Sequence, residues 1–349
     1  MGAAPMGADM MRTAVVFRAP FDVEVRREPA AAPGTSEVLV RAERSAISAG
    51  TELLFYRGCA PRGVPLDASL PALPGAVRYP LRYGYAVLGR VEAAGAAVAP
   101  DWLGRRVFCF HPHSGRFTAD PATVIPVPDD IPDPDAVFFA AMETAVTLIL
   151  DGSPALGESV AIFGQGVVGL LTTCLLALHP VRNVVTVDPR AHRREASRSA
   201  GAQASLPPDD LGGVLAALGS ADGPATADLV YELSGDPRVL NSALSTAGFD
   251  SRVVIGSWYG TRSAPLELGG AFHRDRVRMM SSQVSTLPPA RSGRWDRARR
   301  GQAAWEMIRR TRPGRFISHS FPAEGAAEAY DLLDRGADGV LQVILTYTD

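Results

Sequence analysis

The sequence predicts an α/β fold in which a doubly wound parallel sheet follows a β-rich region. Three observations predict it. Short runs of apolar and β-branched residues, separated by Pro and Gly, fill the first 150 positions. From residue 159 strand-like and helix-like segments alternate. A glycine-rich turn, Gly164-Gln165-Gly166-Val167-Val168-Gly169, stands at the first strand-to-helix junction of that alternation.

In chain order, TAVVF (13–17), EVLVRAERSAI (37–47), AVLGRVEAAG (86–95) and RRVFCF (105–110) read as strands, followed by Pro-rich loops at 121–134. AVFFAAMETAVTLILDG (136–152) reads as a helix ended by Gly152. SVAIFG (159–164) is a buried strand, and VVGLLTTCLLALHP (167–180) is a helix stopped by Pro180. NVVTVD (183–188), DLVYELSG (228–235) and SRVVIGSW (251–258) continue the strands, with helices over 192–202 and 237–247 between them. Residues 294–310 and 326–336 are helical in pattern, and LQVILTYT (341–348) closes the chain as a strand.

The 349 residues suffice for two domains at roughly 100–200 residues each. A net charge of -2 gives no electrostatic reason to expect nucleic acid or an anionic membrane as partner. All 35 basic residues are arginine, which excludes lysine Schiff-base chemistry and the Tyr-x-x-x-Lys pair. Cys59, Cys109 and Cys174 are widely spaced, so neither a disulfide framework nor a four-cysteine zinc lobe is expected. The first ten residues lack a basic and an apolar region, and Met6 stands where a myristoylation signal needs Ser or Thr. They read as a frayed tail. The longest apolar run, near 166–178, is too short to span a bilayer. The expected location is cytoplasmic.

The glycine turn carries the most specific signal. Gly164 permits the tight turn, Gly166 lets backbone approach a pyrophosphate, and Gly169 lets helix and sheet pack closely. Asp188 lies 19 residues past Gly169 at the end of the next strand, where a carboxylate accepts from adenosine ribose hydroxyls. That carboxylate favours NAD over NADP. Arg190, Arg193 and Arg194 offer partners to a 2′-phosphate, which keeps NADP possible; as a bland alternative they form a solvated helix face.

From about residue 12 onward the chain resembles the medium-chain dehydrogenase/reductase superfamily. Ser45-Ala-Ile-Ser-Ala-Gly-Thr-Glu52 resembles the segment ending Cys-Gly-Thr-Asp in zinc members. Gly84-Tyr-Ala-Val-Leu-Gly-Arg-Val-Glu-Ala-Ala-Gly95 resembles their Gly-His-Glu-x-x-Gly-x-Val-x-x-x-Gly. Met142-Glu-Thr-Ala-Val-Thr147 sits where the third zinc ligand is carried. The family's ligand positions hold Ser48 or Ala49, Tyr85 and Glu143, of which only Glu143 suits a metal, so no zinc is expected. The chain resembles a zinc-free branch, with a closer likeness to bacteriochlorophyllide a dehydrogenase-like proteins. The likeness lies in its Ile-Ser-x-Gly-Thr-Glu-x-Leu-Phe and Tyr-Pro-Leu-x-x-Gly-Tyr stretches.

The resemblance implies a GroES-like catalytic domain over 1–146 and 288–349 and a Rossmann domain over 147–287. It also implies a homodimer through edge strands near 277–284 and a small-molecule substrate in an interdomain cleft. Tyr85 then polarises a carbonyl, its pKa of about 10 suiting a donor rather than a base. Thr51 matches a proton-relay hydroxyl, Glu52 a supporting carboxylate, and Glu143 a general base or polar substrate contact. His113, leaving a strand in Cys109-Phe-His-Pro-His-Ser-Gly115, is a further candidate. Each also has a purely structural reading: a core tyrosine, a backbone-bonded hydroxyl, a paired acid, a packed imidazole. Thr147, Ser234, Gly256, Ser257 and Ser282 match cofactor-contacting positions. Gln342 stands where many relatives carry a phosphate-binding arginine. The implied activity is zinc-independent alcohol/ketone interconversion in a biosynthetic pathway. Reduction of an activated C=C or C=N bond, and a non-redox or sensor role for the bound dinucleotide, stay open.

Overall fold

The computed structural model describes residues 10–67, 69–219 and 225–348. The reading of the first ten residues as a frayed tail falls almost wholly outside these. The chain divides into two units, Met1–Ala140 with Ile317–Asp349, and Ala141–Phe316.

The first unit is β-rich. A hairpin of β1 (Met11–Ala19) and β2 (Asp22–Pro29) stands beside a seven-stranded sheet. That sheet contains β3 (Val38–Ala46), β4 (Val87–Ala94), β5 (Arg106–Cys109), β6 (Arg116–Ala119) and β7 (Ile125–Pro126). It is completed from the far end of the chain by the parallel pair β14 (Ile317–Pro322) and β15 (Gln342–Thr346). β15 pairs antiparallel with β3, which is how residues near 345 come to lie beside residues near 45. Residues that alternate on β3, Val38, Val40 and Ala42, are fully buried, as are Val87, Val107 and Val343 on its neighbours. The helix Ala326–Arg335 turns Ala326, Ala329, Tyr330 and Leu333 into the same core. The strands β2, β6 and β7 and the helix Ala49–Tyr56 are not announced by the sequence patterns.

The second unit is a six-stranded parallel sheet: β8 (Ser159–Phe163), β9 (Asn183–Val187), β10 (Ala204–Leu206), β11 (Ala227–Glu232), β12 (Ala247–Ile255) and β13 (Arg278–Ser281). Their spatial order is β10-β9-β8-β11-β12-β13. The order reverses between β8 and β11, which makes the carboxyl end of β8 the switch point where ligands bind in such sheets. All five β8 side chains are buried, as a strand covered on both faces requires. The run read at 166–178 is the helix Val167–Leu176, buried from Gly169 onward. Among the described residues no helix is long and apolar enough to cross a membrane.

The unit boundaries differ from those the resemblance implied. Residues 141–146 and 288–316 belong to the second unit. The helix Arg297–Thr311 packs on the helix Val167–Leu176, and its Arg300 pairs with Glu143. Those contacts hold both segments to the parallel sheet.

Candidate functional site

The glycine turn has the backbone its sequence requires. Gly164 follows β8 with φ +96°, and a Cβ there would lie 2.5 Å from the backbone of Leu233 and Ser234. A Cβ on Gly169 would fall 2.0 Å from the Gly164 carbonyl oxygen, so the helix seats on the turn only because both residues are glycine. Gly166 is different. It precedes the helix as N-cap with no side-chain cap bond, and a Cβ there would meet only Arg193 Nη1, at 3.9 Å. The chain itself leaves that space open beside the helix N-terminus. Val167 and Val168 open the helix, and Gln165 is fully buried, its amide donating to Gly164 O and accepting from Thr173 Oγ1.

Asp188 braces this turn. Its Oδ2 accepts the Gln165 N–H at 2.8 Å and its Oδ1 the Arg190 N–H at 2.9 Å. An ionised carboxylate has about four lone-pair sites, so further donors can be accepted. Arg193 Nη1 lies 3.9 Å from Asp188 Oδ2, and its buried Nε has no hydrogen-bond partner. Burial pushes this guanidinium's pKa down, against the pull of Asp188. A partnerless buried N–H beside an open glycine and an uncapped helix start fits the phosphate and ribose groups of a dinucleotide. Arg194, by contrast, donates to the Asp188 and Pro189 carbonyls.

At the carboxyl ends of β11 and β12 the sequence-predicted Ser234, Gly256 and Ser257 come together. They gather around an acid the sequence reading missed. Glu232 is fully buried and accepts from Ser234 N at 2.8 Å, from Ser234 Oγ, and from Tyr259 OH at 2.5 Å. Burial and the adjacent carboxylate raise the Tyr259 pKa, so Tyr259 stays a donor. Ser257 Oγ accepts the Gly235 N–H at 2.9 Å, and a Cβ on Gly256 would strike Leu233 and Leu148. Ser282 donates to Asp151 Oδ2. The only advance signal for Glu232 was its place at a strand end.

Glu143 and Thr147 lie on the helix Phe139–Gly152, and both contact Arg300. Arg300 Nε pairs with Glu143 Oε1 at 3.2 Å, both side chains less than a tenth exposed. Arg300 Nη1 also donates to Val284 O and, at 3.5 Å, to Thr147 Oγ1, which itself donates to Glu143 O at 2.8 Å. Burial raises the Glu143 pKa, and Arg300 opposes that rise. Glu143 is therefore held in a buried pair with Arg300. Arg300 stood unmarked among many arginines in the sequence.

In the first unit, Tyr85 OH donates to Ser48 Oγ and lies 3.3 Å from Thr51 Oγ1. Burial raises its pKa to about 12, against the two hydroxyl contacts that lower it. It is a phenol at any ordinary pH. Glu52, four residues past Ser48, folds back so that its Oε1 accepts the Ser48 N–H at 2.7 Å, as an acid in the first turn of a helix does. Its Oε2 accepts from Tyr330 OH and from His113 Nε2 at 2.9 Å. His113 Nδ1 lies 2.7 Å from Ser45 Oγ, which contacts Tyr347 OH at 2.9 Å. The His113 and Glu52 side chains have no exposed surface. Both ring nitrogens of His113 are thus engaged, and its side chain is buried. Gly84, with φ +115°, makes room for it, since a Cβ there would lie 2.6 Å from the imidazole. The Gln342 amide is likewise spent, on Ile47 O at 3.0 Å and Val343 O at 2.6 Å.

The side chains at the implied zinc positions do not fit zinc. Ser48 and Tyr85 are hydroxyls bonded to each other, the phenol firmly protonated, and Glu143 already neutralises a guanidinium. Among the described residues no group of three His, Cys, Asp or Glu is placed to hold a metal.

The parallel sheet with this turn has the Rossmann form, and the other unit is β-rich. A family model described as zinc-binding dehydrogenase matches residues 167–298. L-threonine 3-dehydrogenase of Anaeromyxobacter dehalogenans (strain 2CP-C) is 26% identical over 347 residues, covering 88% of this chain and 90% of that one. D-guloside 3-dehydrogenase of Escherichia coli (strain K12) is 24% identical over 289 residues, covering 78% and 81%. The crystal structure of a short chain alcohol dehydrogenase from Escherichia coli CFT073, solved with NADH, superposes with a TM-score of 0.77. It is 18% identical, with 97% of this chain and 100% of that one covered. These relatives are similar over most of the chain, and the solved structure shares its fold.

Proposed function

We propose that the protein is an NAD(P)-dependent oxidoreductase that interconverts an alcohol and a ketone without zinc. The observation that carries the reading is the open Gly166 with the partnerless Arg193 Nε beside it, at the switch point of the sheet. The relatives' names, an amino-alcohol and a glycoside dehydrogenase, support an alcohol or polyol substrate. When bound, the nicotinamide supplies or takes the hydride. The chain's own part is binding, orientation and proton handling. Gly166 and the first helical N–H groups hold the pyrophosphate, and Asp188 with Arg193 holds the adenosine ribose. Tyr85 donates a hydrogen bond to the substrate oxygen, stabilising the alkoxide where zinc would otherwise act. Its phenolic proton exchanges through Ser48 and Thr51, the two hydroxyls it already touches. With a pKa near 12, Tyr85 is uncharged at neutral pH yet a stronger acid than an alcohol, so it gives its proton to the alkoxide and is reprotonated through Ser48 and Thr51.

The test is a titration of metal-stripped protein with NADH and, separately, NADPH, followed by a panel of ketones, enones and imines. Saturable binding and ketone turnover without added zinc are expected. Tyr85→Phe should keep cofactor affinity and lose about 10²–10³ in kcat, the range for one oxyanion donor. Turnover that appears only on adding zinc, or wild-type rates in Tyr85→Phe, would overturn the assignment.

A further inference from the structure

A second cavity, of about 530 Å³, lies wholly in the first unit between the β1–β2 hairpin, the 66–82 segment and the 111–114 turn. Its size falls within the usual range for small-molecule sites. Four arginines line it: Arg12, Arg26, Arg78 and Arg82. Two carboxylates answer them. Glu28 pairs with both Arg12, at 2.6 Å, and Arg82, at 2.7 Å. Glu24 takes Arg26 at 2.8 Å. One carboxylate shared by two guanidiniums leaves one positive charge uncompensated, and Arg78, paired with no carboxylate among the described residues, adds another. His111 contributes no charge: burial, reinforced by Arg12 and Arg82, pushes it down to about 4. The walls between the arginines are apolar, built from Val16, Leu66, Leu73 and Leu81. Of the residues lining it, His113 alone also belongs to the cluster around Glu52 described above.

We propose that this cavity binds a small organic oxyanion with an apolar body, a phosphate monoester or a carboxylate, through Arg78 and Arg82. Guanidiniums grip such oxygens bidentately, and the leucine and valine walls hold the hydrocarbon. A purely apolar ligand would leave the charge surplus unanswered, and a bare inorganic ion would leave the walls wet. The proposal is independent of the redox reading: either stands if the other fails.

Calorimetric titration of the full chain with hexyl phosphate, hexanoate, hexanol and inorganic phosphate tests it. Hexyl phosphate or hexanoate should bind saturably at one site, hexanol not at all, and inorganic phosphate more weakly than its hexyl ester. The stronger of the two hexyl anions identifies the headgroup. Arg78→Ala should weaken binding about tenfold, the effect of one charge-assisted contact, and Arg78→Glu should abolish it. Because Arg78 is exposed and unpaired, both variants should unfold at the parent temperature. NADH affinity should be unchanged in both, which separates this cavity from the nucleotide turn. Absence of saturable binding by either hexyl anion, equal binding of hexanol, or parent affinity in Arg78→Glu would overturn the proposal.

Discussion

Replacing Arg300 with Met would strip the charge partner from a buried carboxylate while keeping most of the side chain's bulk. Glu143 and Arg300 are 3.2 Å apart with side chains 7% and 6% exposed. At an effective dielectric of about 20, that separation gives roughly 5 kcal/mol of gross attraction. Desolvation cancels much of this in the intact pair, yet breaking a buried pair from one side costs about 3–5 kcal/mol, because the other charge is stranded. Arg300→Met also leaves Val284 O without its side-chain donor. At about 2–4 °C per kcal/mol for a unit of this size, the melting temperature should fall by on the order of 10 °C.

The pH dependence fixes the cause. Glu143 already holds its proton more tightly folded than unfolded, since its pKa is raised above the ordinary 4.5. In that case the native state binds more protons than the unfolded one, and stability falls as pH rises toward the folded pKa. Removing Arg300 raises that pKa further. The loss in Arg300→Met should therefore be larger at pH 8 than at pH 5, and Glu143→Gln in the same background should recover part of it at pH 8. Thermal unfolding of the parent, Arg300→Met and the double variant at both pH values is the assay. A loss under 1 kcal/mol, or one equal at both pH values, would refute the buried-ion-pair account.

Gly164→Ala should destabilise the protein by about 1–3 kcal/mol, since its positive φ and the 2.5 Å backbone approach both exclude a Cβ; chemical denaturation checks this. Gly166→Val, where the chain leaves room, should fold normally and lose nucleotide affinity, read by NADH fluorescence titration. Asp188→Ala should weaken NADH binding and narrow the NADH-to-NADPH affinity ratio; an unchanged ratio would remove the ribose contact from this residue. His113→Leu should cost about 1–3 kcal/mol by stranding Ser45 and part of the Glu52 carboxylate, without the pH-rate change that loss of a titrating catalyst would bring.

Much of the nucleotide turn was legible in the sequence because it is local. A strand, six residues and a helix fix one another through backbone conformation, and glycine is the residue that φ +96° at position 164 selects. Asp188 was legible too, because β9 runs parallel beside β8 and so ends at the same height. The strand-helix alternation fixed the parallel sheet, since buried strands must be apolar on both faces. What the sequence could not show is which distant groups neutralise which. Glu143 looked like a base until a helix more than 150 residues later supplied Arg300. His113 and Glu52 looked available until Tyr330 and the burial of both side chains showed them sealed.

The chain by itself determined the two kinds of element, the glycine turn after β8 and the residue types at positions 48, 85 and 143. These follow from periodicity and from residue chemistry at fixed local spacing. Only the tertiary structure decided the partners: Arg300 with Glu143, Tyr259 with Glu232, Tyr330 and His113 with Glu52, and four arginines around one cavity. The physical reason is range. Backbone geometry is set by neighbours in sequence, whereas the charge state and accessibility of a side chain are set by whatever folding brings within hydrogen-bond distance of it.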